Sequence, residues 1–226
     1  MLAETVQRFS VMAIPILLGV TLHEAAHGYV AELFGDDTAR RLGRISLNPF
    51  RHVDLFGTIL LPAVLILSGT GLLFGYAKPV PVNFRRLRNP RRDMIWVAGA
   101  GPAMNAALAV IAGLLYHGIA FLPHGVAEWA EGNLVNMIVL NVMLGLFNMI
   151  PIPPLDGGRV AVGVLPDRLA MPLARLERIG IVLVLGILFL LPMLGDHLHL
   201  NLDISRWLVD ATGWVSETIW TLTGNG

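Results

Sequence analysis

The sequence predicts an all-α polytopic membrane protein of about four transmembrane helices plus a re-entrant element, short β-strands near the site and a C-terminal interfacial helix. Three observations carry that prediction. Hydrophobic residues make up 55% of the 226 and charged residues only 14%, well away from the balance of a soluble domain. Several apolar runs approach the ~20 residues that a spanning helix needs. Of the 16 lysines and arginines, 14 fall in three clusters, at 40–51, 78–92 and 159–178, the kind of asymmetry that orients a multi-pass chain. The formal net charge is zero and there is no cysteine. A nucleic-acid partner is therefore not expected, and disulfides, thiolate metal sites and cysteine nucleophiles are excluded.

The first apolar segment, Phe9 to Phe34, lacks a basic leader and reads as a retained helix rather than a cleaved signal. Gly35-Asp-Asp37 ends it with turn chemistry. A polar stretch follows to Asp54; within it, Arg44 to Asn48 alternates with the period of a short strand that Pro49 stops. Phe56 to Phe74 is apolar but broken by Pro62, Gly69 and Gly71, and Lys78 to Asn83 is held extended by its prolines. Met94 to His117 is the second span. An acidic connection, Gly118 to Gly132, leads to the third, Asn133 to Ile150. Prolines 151, 153 and 154 then forbid a regular helix before Asp156. Ile179 to Leu194 is the last span. In the tail, Ile204, Trp207, Leu208, Ala211, Val215, Thr218, Ile219 and Leu222 form one helical stripe, with Trp214 beside it, opposite Asp203, Asp210 and Glu217, the pattern of an interfacial helix or of one packed on the bundle. One integral-membrane domain, 1–226, is expected, with a core of about 9–165 and an accessory helix and amphipathic tail at 178–226.

The positive-inside rule places all three basic clusters in the cytosol. A full crossing by Phe56–Phe74 would put the first two on opposite sides. It would also bring Asp156 out on the face away from the second half of the first helix. Both conflicts vanish if that segment dips in and returns, which leaves four crossings and both termini non-cytosolic.

Inside the first helix lies His23-Glu24-Ala-Ala-His27. On a helix the two imidazoles, four residues apart, project from one face. That spacing suits two ligands of one zinc ion, with Glu24 placed to take a proton from the attacking water. Ionisable residues in the middle of a membrane helix are costly and point to function. A hydrolytic zinc needs a third protein ligand. Asp156, Asp54, Glu32, His52 and the His197/His199 pair are the candidates. Asp156 is favoured by its proline- and glycine-shaped surroundings at membrane depth, over the alternative of a turn aspartate that caps the helix beginning near Arg159.

His23-Glu-x-x-His27 together with Asn148-x-x-Pro-x-x-Pro-x-Asp156-Gly resembles the paired signature of the site-2 protease family of intramembrane zinc metalloproteases. Ala100-Gly-Pro-x-x-Asn105, Gly43-Arg-Ile-Ser-Leu-Asn-Pro49 and Ala77-Lys-Pro-Val-Pro-Val-Asn83 are similar to stretches of its compact bacterial members. The resemblance implies one Zn2+ held by His23, His27 and Asp156, Glu24 as general base, and Asn105 and Asn148 lining the site as substrate-binding or oxyanion support. It implies a transmembrane protein or peptide as substrate, the lipid bilayer as surroundings, and a bacterial inner (cell) membrane with the active site toward the cytosol. No PDZ or CBS domain is visible in the sequence, and oligomeric state is not legible. Two other classes compete: a catalytically silent membrane-protein binder or chaperone, which would not need Glu24, and a metal transporter, which would be expected to repeat such sites across the bilayer.

Overall fold

The structure is a computed structural model that describes residues 2–46, 48–52, 54–55, 60, 64, 78–198 and 203–226. It is largely helical. The main elements are α1 (Leu2–Leu33), the single turn α2 (Thr38–Arg41), α3 (Pro90–Tyr116), α4 (His124–Asn148), α5 (Asp156–Val164), α6 (Asp167–Arg175), α7 (Gly180–Leu185), α8 (Leu191–Leu198) and α9 (Ile204–Leu222). Four stretches are long and apolar enough to cross a membrane: Ser10–Leu33, Pro90–Phe121, His124–Asn148 and Asp167–Gly195. The chain is an integral membrane protein.

Three spans begin earlier than the hydropathy suggested, at Pro90, His124 and Asp167. Pro90 sits in the first turn of α3, where its missing N–H costs nothing, and the buried Asp93 carboxylate accepts the Asn89 N–H at 2.7 Å. At the other end, the acidic connection is mostly helix: after a tight turn at His117–Phe121, α4 starts at His124. The Tyr116 hydroxyl donates to Glu131 at 2.8 Å, tying the two helices together where the sequence is polar. The last span is composite, running from α6 through Leu176–Ile179, α7, a wide turn at Gly186–Leu190 and α8.

α1, α3 and α4 pack as a three-helix core with α5 laid on α3. Small residues face inward: Ala109 and Ala112 of α3 are buried with Ile138 and Val142 of α4. Trp96, Ile111, Leu114 and Leu115 on the other face of α3 are exposed. Lipid tails are as apolar as leucine, so close backbone approach through small residues, not hydrophobic burial, decides which face turns in. Ile219 of α9 joins that cluster, and the end of α9 is pinned to α3 by His117, whose Nε2 bonds the Thr223 carbonyl at 2.7 Å, and by Asn225, which donates to the Gly113 carbonyl at 2.9 Å. Its far face keeps Trp207 and Trp214 exposed. The tail is thus docked on the bundle at its C-terminal end.

The end of α1 and the start of α3 lie side by side. Arg88 N–H donates to Phe34 C=O at 3.0 Å, Asn83 N–H to the Asp36 carboxylate at 2.6 Å, and the Arg86 guanidinium to Asp37 at 2.9 Å. The chain between them therefore leaves and rejoins the bundle at one end. Most of Phe56–Phe74, the expected re-entrant element, lies outside the described residues. Among the described residues no β-strand occurs, so the short strands expected near the site are not formed there. The reason is where the donors of 78–83 go. Pro79 and Pro81 have none, Lys78 N–H bonds the His52 carbonyl, and the N–H groups of Val80 and Asn83 are taken by the carboxylates of Glu24 and Asp36.

Candidate metal centre

α1 presents His23 and His27 on the face turned toward α3, four residues apart and both buried. Asp156 arrives from the opposite direction. After α4 ends at Asn148 the proline-bearing segment turns the chain, and α5 opens with Asp156 as its first residue. Gly157 and Gly158 allow this: a Cβ at either would collide with backbone of the 149–153 segment, so only glycine lets the start of α5 lie that close. His23 Nε2 and His27 Nε2 stand 3.1 Å apart, and Asp156 Oδ2 is 3.2 and 3.3 Å from them.

The hydrogen bonds behind the two rings fix what faces the centre. His27 Nδ1 is 2.7 Å from the Val97 carbonyl. A carbonyl only accepts, so Nδ1 carries the proton and Nε2 presents a lone pair. His23 Nδ1 is 2.6 Å from Asn105 Oδ1. The Asn105 amide is oriented in turn by its own NH2 group, which donates to Asn141 Oδ1 at 2.7 Å and to the Gly19 carbonyl at 3.4 Å, while Asn141 donates to the Met137 carbonyl at 2.9 Å. The chain of donors runs one way, so His23 Nε2 is unprotonated as well. Asp156 Oδ2 is buried without a hydrogen-bond partner among the described residues. Two nitrogen lone pairs and a carboxylate oxygen thus converge on one point, which repels itself unless a cation fills it. That donor set fits zinc, and the three residues are the one group among the described residues whose atoms are close enough to hold a metal.

Glu24, the next residue on α1, is half-buried, and its Oε2 accepts the Val80 N–H at 2.7 Å. The other candidates are placed elsewhere. Glu32 pairs with Arg40, the buried His52 ring donates to the Ser46 carbonyl at 3.0 Å, His197 is exposed and His199 lies outside the described residues. Asn105 and Asn148 part company. Asn105 is fully buried behind His23 with both halves of its amide engaged, whereas Asn148 donates to the Leu144 carbonyl of its own helix at 2.9 Å.

Three features of the site escaped the sequence reading: Asn141, the Val97 carbonyl and Gly101. A Cβ on Gly101 would lie 2.5 Å from His23 Cε1 and from His27 Nε2. Its sequence signals were the small-residue run Ala98-Gly-Ala-Gly-Pro102, which permits close helix approach, and its place in the Ala100-Gly-Pro-x-x-Asn105 stretch, but neither gave it a role at the centre.

The family model described as Peptidase family M50 matches residues 119–193. The chain is 37% identical over 187 residues to "Putative zinc metalloprotease YwhC" of Bacillus subtilis, a match covering 80% of this chain and 81% of that protein. It is 29% identical over 197 residues to "Putative zinc metalloprotease Rip2" of Mycobacterium tuberculosis, covering 87% and 72%. With the Rip2 of Mycolicibacterium smegmatis it shares 28% over 218 residues, covering 93% and 80%. No solved structure matches the chain.

Proposed function

Because the chain belongs to peptidase family M50, the site-2 proteases, and is a zinc metalloprotease of the membrane, we propose that it hydrolyses a peptide bond within or beside a transmembrane segment of a protein substrate. The observation that carries this reading is the convergence of His23, His27 and Asp156 inside an apolar helical bundle, below the end of a spanning helix. His23 Nε2, His27 Nε2 and Asp156 Oδ2 would hold the metal. Zinc there supplies a water of lowered pKa and polarises the scissile carbonyl.

The protein's own residues do the rest. Glu24 takes the proton of the attacking water and returns it to the leaving amine. Val97 C=O and Asn105 keep the histidine rings in the tautomer that binds metal. Asn105 acts through His23 rather than on the substrate, since its amide is closed off on both sides. An interhelical hydrogen bond in a membrane is worth only ~0.6 kcal/mol on average, so orientation of a ligand, rather than cohesion, is what the Asn105–Asn141 pair contributes. The test is a comparison of membranes containing the zinc-loaded chain with the same membranes after chelation. Cleaved ends falling inside transmembrane segments, lost on chelation and regained with zinc, are expected; ends confined to soluble loops reject intramembrane action.

In a bacterial cell membrane, charge would set the orientation: the three basic clusters at 40–51, 78–92 and 159–178, and hence the site they flank, face the cytosol. That the chain leaves α1 and rejoins α3 at one end of the bundle supports a 56–74 segment that dips and returns. A cysteine placed at Asn83 should resist an impermeant thiol reagent added to intact cells. Labelling from outside would overturn both the orientation and the dip.

A further inference from the structure

Asp36 is fully buried, yet among the described residues no lysine, arginine or histidine pairs with it. A buried carboxylate without a counter-ion is costly unless hydrogen bonds replace its water. Here they do. Oδ1 accepts from the Thr38 N–H at 3.1 Å and from the Thr38 hydroxyl, and Oδ2 accepts the Asn83 N–H at 2.6 Å. Ending α1 does not require such a group, because Gly35 already makes the turn with φ +108°. Nor does surface charge, because the neighbouring Asp37 pairs with Arg41 and Arg86. The Thr38 bonds are local and turn the chain into α2; the bond that reaches another segment is the one to Asn83.

That bond sets one end of the 78–83 segment. The other end is set by Lys78 N–H on the His52 carbonyl and by the Arg44 guanidinium, which donates to the carbonyls of Lys78 and Pro79 at 3.0 and 3.3 Å. Between the two anchors Pro79 and Pro81 fix their own φ and offer no donor. The intervening Val80 N–H is the group that meets Glu24 Oε2 at 2.7 Å. We infer that Asp36 is a positioning residue for the reaction: by holding Asn83 it stretches the segment so that the Val80 amide fixes one oxygen of Glu24, leaving the other aimed at the proton it must take. This rests on the reading of Glu24 as the base. Slack in the segment would free the Glu24 side chain, and misplacement of a reacting group by ~1 Å can cost about 10²-fold in rate.

The test uses the purified full-length, zinc-loaded chain and an internally quenched synthetic peptide of one apolar span interrupted by glycines. Asp36→Asn puts an NH2 group against one of the donors. It should keep its zinc and leave KM within about twofold while kcat falls about ten- to a hundredfold, and amide exchange at Val80 should accelerate. Asp93→Asn is the structural control: it too loses a buried capping carboxylate, and should lower thermal stability but leave kcat unchanged. Unchanged kcat in Asp36→Asn overturns the inference. So does kcat lost together with zinc, or kcat lost with Val80 exchange unaltered. Should Asp36→Asn not fold, Val80→Pro removes the donor itself and leaves Asp36 intact; it must show the same kcat loss, and normal turnover there overturns the inference too. Glu24→Gln separates the two ideas: if that variant still cleaves, the base assignment fails; if it is dead while Asp36→Asn and Val80→Pro are not, only the positioning role fails.

Discussion

Glu24→Gln should bind zinc as the parent chain does and lose about 10³-fold in turnover, within the 10²–10⁴-fold range of general acid–base catalysis. Glutamine is nearly isosteric, and its Oε1 can accept the Val80 N–H that Glu24 now receives at 2.7 Å, so the 78–83 segment has no reason to move. His23, His27 and Asp156 are untouched, and zinc measured by atomic absorption should stay at one per chain. What is lost is the carboxylate's capacity to take a proton and return it. Substrate binding depends on none of this, so the variant should accumulate uncleaved substrate in cross-linking experiments. Retained cleavage would remove Glu24 from the mechanism and favour a different base. Retained binding with no cleavage even in the parent chain would favour the silent-binder class.

Gly101→Ala should empty the metal site without unfolding the helix that carries it. Alanine is a better helix former than glycine by about 1 kcal/mol, so α3 itself gains. The new methyl, however, would stand 2.5 Å from His23 Cε1 and His27 Nε2 and 2.6 Å from His23 Nε2. Pro102 and the packing of α3 against α1 and α4 restrict how far the backbone can retreat. The rings must turn, which breaks the bonds from Nδ1 to Asn105 and Val97. Zinc affinity should fall by about 10²-fold or more, beyond the 10–100-fold typical of losing a residue that supports a ligand. Two companions calibrate the result. At Gly99, two residues away, a Cβ meets nothing within 4 Å, and Gly99→Ala should load zinc normally. Asn141→Leu, which disturbs His23 only through Asn105, should fall between the two. Equal zinc content in Gly99→Ala and Gly101→Ala, with circular dichroism unchanged, would show that the rings do not crowd this backbone.

The parts of the site that were legible in the sequence are those whose geometry is local. His23, Glu24 and His27 lie within one turn and a bit of one helix, so the helical period alone places both imidazoles on one face and the carboxylate beside them. Asp156 was legible at one remove, through prolines and glycines that have no place in a regular span. Its distance from the histidines was not, since more than 120 residues intervene. The short strands expected near the site misled for a related reason. Alternation at 44–48 describes which way side chains point and the prolines at 78–83 only extend the backbone, whereas a strand requires that its N–H groups find another strand, and at 78–83 two carboxylates take them.

By itself the sequence determined that the chain lives in a membrane, roughly where it crosses, and that one helix carries the His23-Glu24-x-x-His27 pattern, with its two candidate metal ligands and candidate base. Tertiary structure alone decided which faces of α3 and α4 meet that helix, and so made Gly101, the Val97 carbonyl, Asn105 and Asn141 part of the centre. In a soluble helix the apolar stripe announces the buried face. A spanning helix is apolar toward lipid and protein alike, so the pattern that would have shown which residues back the histidines is absent. It is restored only when the backbones are seen packed together.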